Sequence, residues 1–207
     1  MKISGKFWVG IGLAGIISGC ATPLPPIHRP IYSPNLVQRP ANPLRLQLPD
    51  KVEFLQTDRR WAHATLGGSH ASLEDEGCLV TAAAMALVNL GFKTDPGDLT
   101  YRLKAYGGFN SHGWLVWRGL EKATANRVKT YFYQRKDNEV VRSCLAAGYY
   151  PLVKFNLPSS KTHWVLVVGE ADSGFFIRDP MISSATPIPL ASRTSRIDAV
   201  RCVGVRV

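Results

Sequence analysis

Cys78 directly follows Gly77 and opens an alanine-rich, nearly uncharged run that continues to Leu90 and stops at Gly91. Such a run reads as a buried helix ended by a glycine. A sulfur in its first turn faces unpaired backbone amides and the positive end of the helix dipole, which favour a nucleophilic thiolate. One of those amides can also donate to an oxyanion. A cysteine so placed is, taken alone, more often a small core residue, so the chemistry needs a base. His163 is the candidate. It begins the apolar stretch His163-Trp164-Val165-Leu166-Val167-Val168-Gly169 after the polar loop 159–162, so its ring sits at a strand end and can face a cleft. From there an imidazole can take the thiol proton and return it to a leaving amine. His28, His63, His70 and His112 fall in the N-terminal segment or in loops, with His70 and His112 as weaker alternatives. Asp179, after Phe175-Phe176-Ile177-Arg178 and before Pro180, is the third member. A turn at Asp172-Ser173-Gly174 makes 163–169 and 174–179 a hairpin, and counting outward brings Asp179 near His163. It can then accept the second ring N–H and fix the tautomer. The competing reading of Asp179 is a turn-forming Asp-Pro.

These residues require helices first and a sheet afterwards. Asp95-Pro96 starts a second helix with an N-cap and a first-turn proline. Trp114, Trp117 and Leu120 recur at helical spacing within 113–125, and Asp137 to Ala147 before Gly148 gives a further short helix. Pro151–Asn156, 163–169 and 174–179 read as strands, and Ala199 to Val207 closes the chain as another. The order indicates an α+β domain with N-terminal helices on a C-terminal antiparallel sheet. Trp61, Trp114, Trp117 and Trp164 are expected in the core, Trp164 alternatively lining the cleft.

Together, these segments resemble a known family. Leu55-Gln56-Thr57-Asp58-Arg59-Arg60-Trp61-Ala62, Gly77-Cys78 with Ala84-Met85-Ala86-Leu87 and Leu90-Gly91, Gly148 to Val153, His163 to Gly169 and Asp179-Pro180 are similar to papain-like cysteine peptidases of the bacteriocin-processing, double-glycine type. The resemblance covers about residues 52–182 and implies a papain-like fold. It implies Cys78 as nucleophile, His163 as base and Asp179 as orienting group, with Gln56 as side-chain donor of the oxyanion hole. No cofactor is implied, and the partner is a polypeptide substrate. Many members carry a small turn after the nucleophile where this chain has Leu79-Val80. The resemblance therefore speaks to mechanism more than to substrate.

The N-terminus reads as an address. Lys2 and Lys6 flank an uncharged run ending in Ile17-Ser18-Gly19-Cys20, too short to span a bilayer, which takes about 20 residues, and suited to a signal peptide. The ending resembles a bacterial lipobox, which implies cleavage before Cys20, acyl chains on Cys20 and a membrane anchor, with Ala21 pointing to the periplasmic face of the outer membrane. Residues 21–50 hold eight of the fourteen prolines and are expected to form an extended tether. The domains are thus 1–19 signal peptide, 20–50 anchor and tether, and 51–207 the globular domain.

Composition sets the outer bounds. The 207 residues are 45% hydrophobic and 19% charged, which excludes wholesale disorder and a collagen-like chain. A net charge of +10 suits anionic surfaces, but the cations are scattered and no nucleic-acid partner is expected. Four cysteines are too few for a disulfide-dense miniprotein and lack paired zinc-site spacing. Export would let Cys144 and Cys202 form a disulfide, two buried free thiols being the alternative. Two other functions fit the same residues: a catalytically silent peptide-binding lipoprotein, and a cell-wall amidase, though no Asp-Cys-Ser-Gly signature or wall-binding repeat is present.

Overall fold

The computed structural model describes residues 44–205, with side chains from Leu46 onward. The signal-peptide reading of 1–19, the lipidation of Cys20 and most of the tether lie outside the described residues. The elements are β1 (Leu44–Gln47), α1 (Leu73–Glu76), α2 (Cys78–Asn89), α3 (Pro96–Ala105), α4 (Trp117–Ala123), β2 (Val128–Phe132), α5 (Asn138–Ala146), β3 (Tyr150–Asn156), β4 (Thr162–Ala171), β5 (Gly174–Arg178), β6 (Ile188–Pro189), a 3-10 turn (Leu190–Ser192) and β7 (Ala199–Val205). The α+β architecture is as expected: four helices precede an antiparallel sheet in the order β2-β7-β3-β4-β5-β6. β1 pairs with the far half of β4, at Gly169 to Ala171, beyond the stretch that pairs with β3.

Local chemistry explains the elements. Asp95 caps α3 by accepting Asp98 N–H at 2.8 Å with Pro96 at the first turn, and Asp137 caps α5 through Val140 N–H at 3.1 Å. α2 carries no charge, and ten of its twelve residues are buried. Its alanines allow close approach to β4, and Gly91 follows the helix with φ +93°. Two apolar clusters result. Leu152, Leu166 and Val168 belong to the one built around α2 and α3, and Val153, Val165 and Val167 to the one beside α5. Alternate residues of β3 and β4 thus serve opposite sides of the sheet. A disulfide joins Cys144 on α5 to Cys202 on β7 across a Cα–Cα distance of 6.0 Å, an ordinary separation for such a bridge.

Two expectations change. The folded domain takes in the end of the tether: Leu44–Gln47 form β1, Tyr150 Oη donates to the Pro49 carbonyl at 2.7 Å, and Arg178 forks onto the Asp50 carboxylate at 2.7–3.1 Å. Proline density marked the segment as extended, and an extended segment is also what an added strand requires. The helix read over 113–125 spans only 117–123, and Trp114 is 64% exposed rather than core. Gly113 adopts φ +78° just before it, a turn conformation that helical spacing alone does not register. α1 and β2, four and five residues long, were not anticipated, although Ser72 caps α1 by accepting Asp75 N–H at 3.3 Å ahead of an acidic first turn.

Candidate active site

The site forms where the start of α2 meets the start of β4 and the residue after β5. α1 runs into α2 with only Gly77 between them. Gly77 N–H bonds the Leu73 carbonyl at 2.8 Å, and the Gly77 carbonyl accepts Thr81 N–H at 2.9 Å. A β-carbon on Gly77 would collide with the Leu73 carbonyl oxygen and Cδ2, so a glycine is what lets the helices abut. The amides of Cys78, Leu79 and Val80 consequently have no carbonyl partner within α2, and the positive dipole end lies at the sulfur.

His163 stands opposite Phe155 on β3, its ring edge-on to that phenyl at 5.5 Å. Its Nε2 donates to Asp179 Oδ1 at 2.7 Å, with both side chains essentially inaccessible. Cys78 is the other titratable neighbour that raises the pKa of this ring, so its thiol lies beside the imidazole. The three residues singled out in the sequence are therefore brought together.

A single irregularity in the hairpin makes this possible. Ala171 to Gly169 pair with Gly174 to Phe176, but Val167 and Leu166 pair with Ile177 and Arg178, a slip of one residue at Val168. Continued past Arg178, the observed register sets Asp179 opposite Val165, on the same side of the sheet as His163. Without the bulge Asp179 would stand opposite Leu166, on the side packed against the helices.

Asp179 has its full complement of partners. Oδ1 also accepts Met181 N–H at 2.8 Å, and Oδ2 accepts Arg193 Nε at 2.8 Å. Burial alone would raise the pKa of this carboxyl, but the hydrogen bond and charge of His163, Met181 N–H and the Arg193 guanidinium lower it on balance. Burial by itself would lower the pKa of His163. Asp179 and then Cys78 outweigh that and raise it from 6.5 to about 9. The imidazole is thus held protonated near neutral pH, the state able to donate to a leaving group.

Gln56 is buried beside this centre. Its backbone N–H bonds the Pro180 carbonyl at 2.9 Å and its Nε2 donates to the Glu74 carbonyl at 2.7 Å, tying the Asp179-Pro180 turn to the turn ahead of Cys78. One hydrogen on Nε2 remains over, and Oε1 has no partner among the described residues. All three are buried, Cys78 the least so at 8% accessible against 1% for His163 and 3% for Asp179. His70 and His112 are exposed in loops, with the His112 ring tilted against Trp114 at 5.2 Å and not in the site. No group of three or more His, Cys, Asp or Glu side chains among the described residues could hold a metal. Arg193 was missed in the sequence, where nothing sets it apart from Arg196 three residues on.

No family model matches the chain, and no curated protein matches it. Among solved structures, it is similar to a crystal structure described as that of a C39-like peptidase from Bacillus anthracis, with 16% identity, a TM-score of 0.47, and coverage of 78% of this chain and 98% of that one. The functional reading therefore rests on the side-chain geometry of this chain.

Proposed function

We propose that this protein is a cysteine peptidase of papain-like mechanism, held at the envelope by a lipidated Cys20 and acting on an exported or envelope polypeptide. The observation that carries the reading is the buried His163–Asp179 pair beside Cys78, at the first turn of α2. The Cys78 sulfur attacks a peptide carbonyl carbon, and the oxyanion is held by an α2 amide and the free Nε2 hydrogen of Gln56. Protonated His163 gives its proton to the departing amine as the C–N bond breaks, leaving a thioester. Water then attacks the thioester, His163 takes a proton from it, and the carboxylic acid leaves as the sulfur is released.

The test compares newly formed N-termini in envelope and secreted proteomes of wild-type and Cys78→Ala strains. A set of N-termini present only in the wild type supports the reading, and identical sets contradict it. Gln56→Ala is expected to lower turnover by about 10²–10³ while the fold is retained.

A further inference from the structure

On the sheet side that faces α2 and α3, two cations stand without carboxylate partners at the end of the sheet where β4 begins and β2 and β3 finish. Arg201 on β7 is opposite Leu152 on β3 and Phe132 on β2, and Lys154 is opposite Trp164, the residue after His163. Leu152 belongs to the helix-side cluster, and Trp164 packs on it, so all five side chains share that side. The Arg201 guanidinium lies 4.0 Å from the Phe132 ring centroid and 5.7 Å from that of Trp117, whose ring meets Trp164 edge-on at 5.9 Å. Among the described residues its one polar contact is Nη1 donating to the Val200 carbonyl at 3.0 Å, and no carboxylate pairs with Arg201 or Lys154. The nearest acidic residue along the strand, Asp198, is engaged by Arg196 at 2.9 Å.

A guanidinium clamped by rings keeps its in-plane N–H fork preorganised for a carboxylate. Leaving such a group partly desolvated and unpaired is costly in a resting protein, and burial indeed lowers the Arg201 pKa. We propose that Arg201, supported by Lys154 and framed by Trp117 and Trp164, is a specificity subsite for an acidic side chain of the polypeptide substrate. This rests on the peptidase reading above. Two ring-to-ring and ring-to-cation steps, of 5.9 and 5.7 Å, lead from Trp164 to the guanidinium. At about 3.3 Å per extended residue, those two steps span about four residues of an extended substrate counted from Trp164.

The test is cleavage of a proteome-derived peptide library by the full chain, with Arg201→Gln and Arg201→Glu alongside. The expected result is enrichment of Asp and Glu at one fixed position relative to the cut. Arg201→Gln should lose it, with a roughly 10- to 100-fold lower kcat/KM on peptides carrying that residue, and Arg201→Glu should favour Lys or Arg there. Synthetic substrate with the acidic residue changed to its amide gives the same comparison on the wild-type enzyme, independently of how the variants fold. Cleavage without acidic enrichment, or an enrichment unchanged in Arg201→Glu, overturns the subsite but leaves the peptidase standing. Absence of any cleavage by the wild type removes both.

Discussion

Replacing Asp179 by asparagine removes one charge from the centre with almost no change of shape. An amide oxygen can still accept from His163 Nε2 and Met181 N–H, but the Nδ2 group then faces Arg193 Nε, donor against donor. Both the charge and the orientation it enforces are lost. His163 titrates at about 9 instead of 6.5, and at 1.36 kcal/mol per pH unit that difference amounts to about 3 kcal/mol of preference for the imidazolium. Burial works against this preference and Asp179 is its largest source, with Cys78 the other, so Asp179→Asn should lower the His163 midpoint by well over half a pH unit. The sign for stability follows from the same numbers. Below pH 6.5 the folded and unfolded chains both carry the proton, and the stabilisation is fully present. As the pH rises from 6.5 to 9 only the folded chain retains the proton, and the stabilisation drains away. Wild-type stability should therefore fall by about 3 kcal/mol across that window, and Asp179→Asn should fall by clearly less. Histidine-labelled NMR titration of the full chain, assigned with His163→Gln, and urea titrations at pH 6 and 9 read the two effects. A His163 midpoint in Asp179→Asn within half a pH unit of the wild type would refute the reasoning.

Arg193→Met should raise the His163 midpoint by roughly half to one pH unit, because a cation competing for the same carboxylate is gone; Arg193→Lys should restore it, and the same titration measures both. Asp50→Ala strands Arg178 with side-chain exposure of only 9%, and breaking such a buried pair should cost about 3–5 kcal/mol in urea unfolding. Cys144→Ser closes no loop where the native bridge spans 58 residues. Loss of about 4 kcal/mol is expected from the loop-entropy relation, and intact mass with and without reductant checks that the bridge is present in the wild type.

The sequence carried the strongly patterned parts of the fold. α2, α3, α5 and the β4–β5 hairpin have caps, glycine stops or alternation that act locally, and they lie within a few residues of where those signals put them. What depends on contacts distant in sequence was not legible. β1 exists because Gly169 to Ala171 offer an unpaired edge, and Asp50 meets Arg178 across 128 positions. Trp114 kept helical spacing while sitting in a turn. The site was legible in its residue types and order. Its decisive device was not: a bulge at Val168 reverses which side of the sheet Asp179 occupies, and nothing in the apolar run of β4 marks where an extra residue is accommodated. Arg193 was likewise hidden among equivalent arginines until the fold brought it to Asp179.

The central claim is that Cys78 reacts because His163 stands beside it. Its most direct test is the rate of Cys78 carbamidomethylation by iodoacetamide at pH 6 in the full chain, followed by peptide mass spectrometry in wild type and His163→Ala. The expected outcome is a wild-type rate well above that of free cysteine, falling to or below it in His163→Ala while the far-UV CD spectrum is unchanged. Equal rates in the two proteins would contradict the claim.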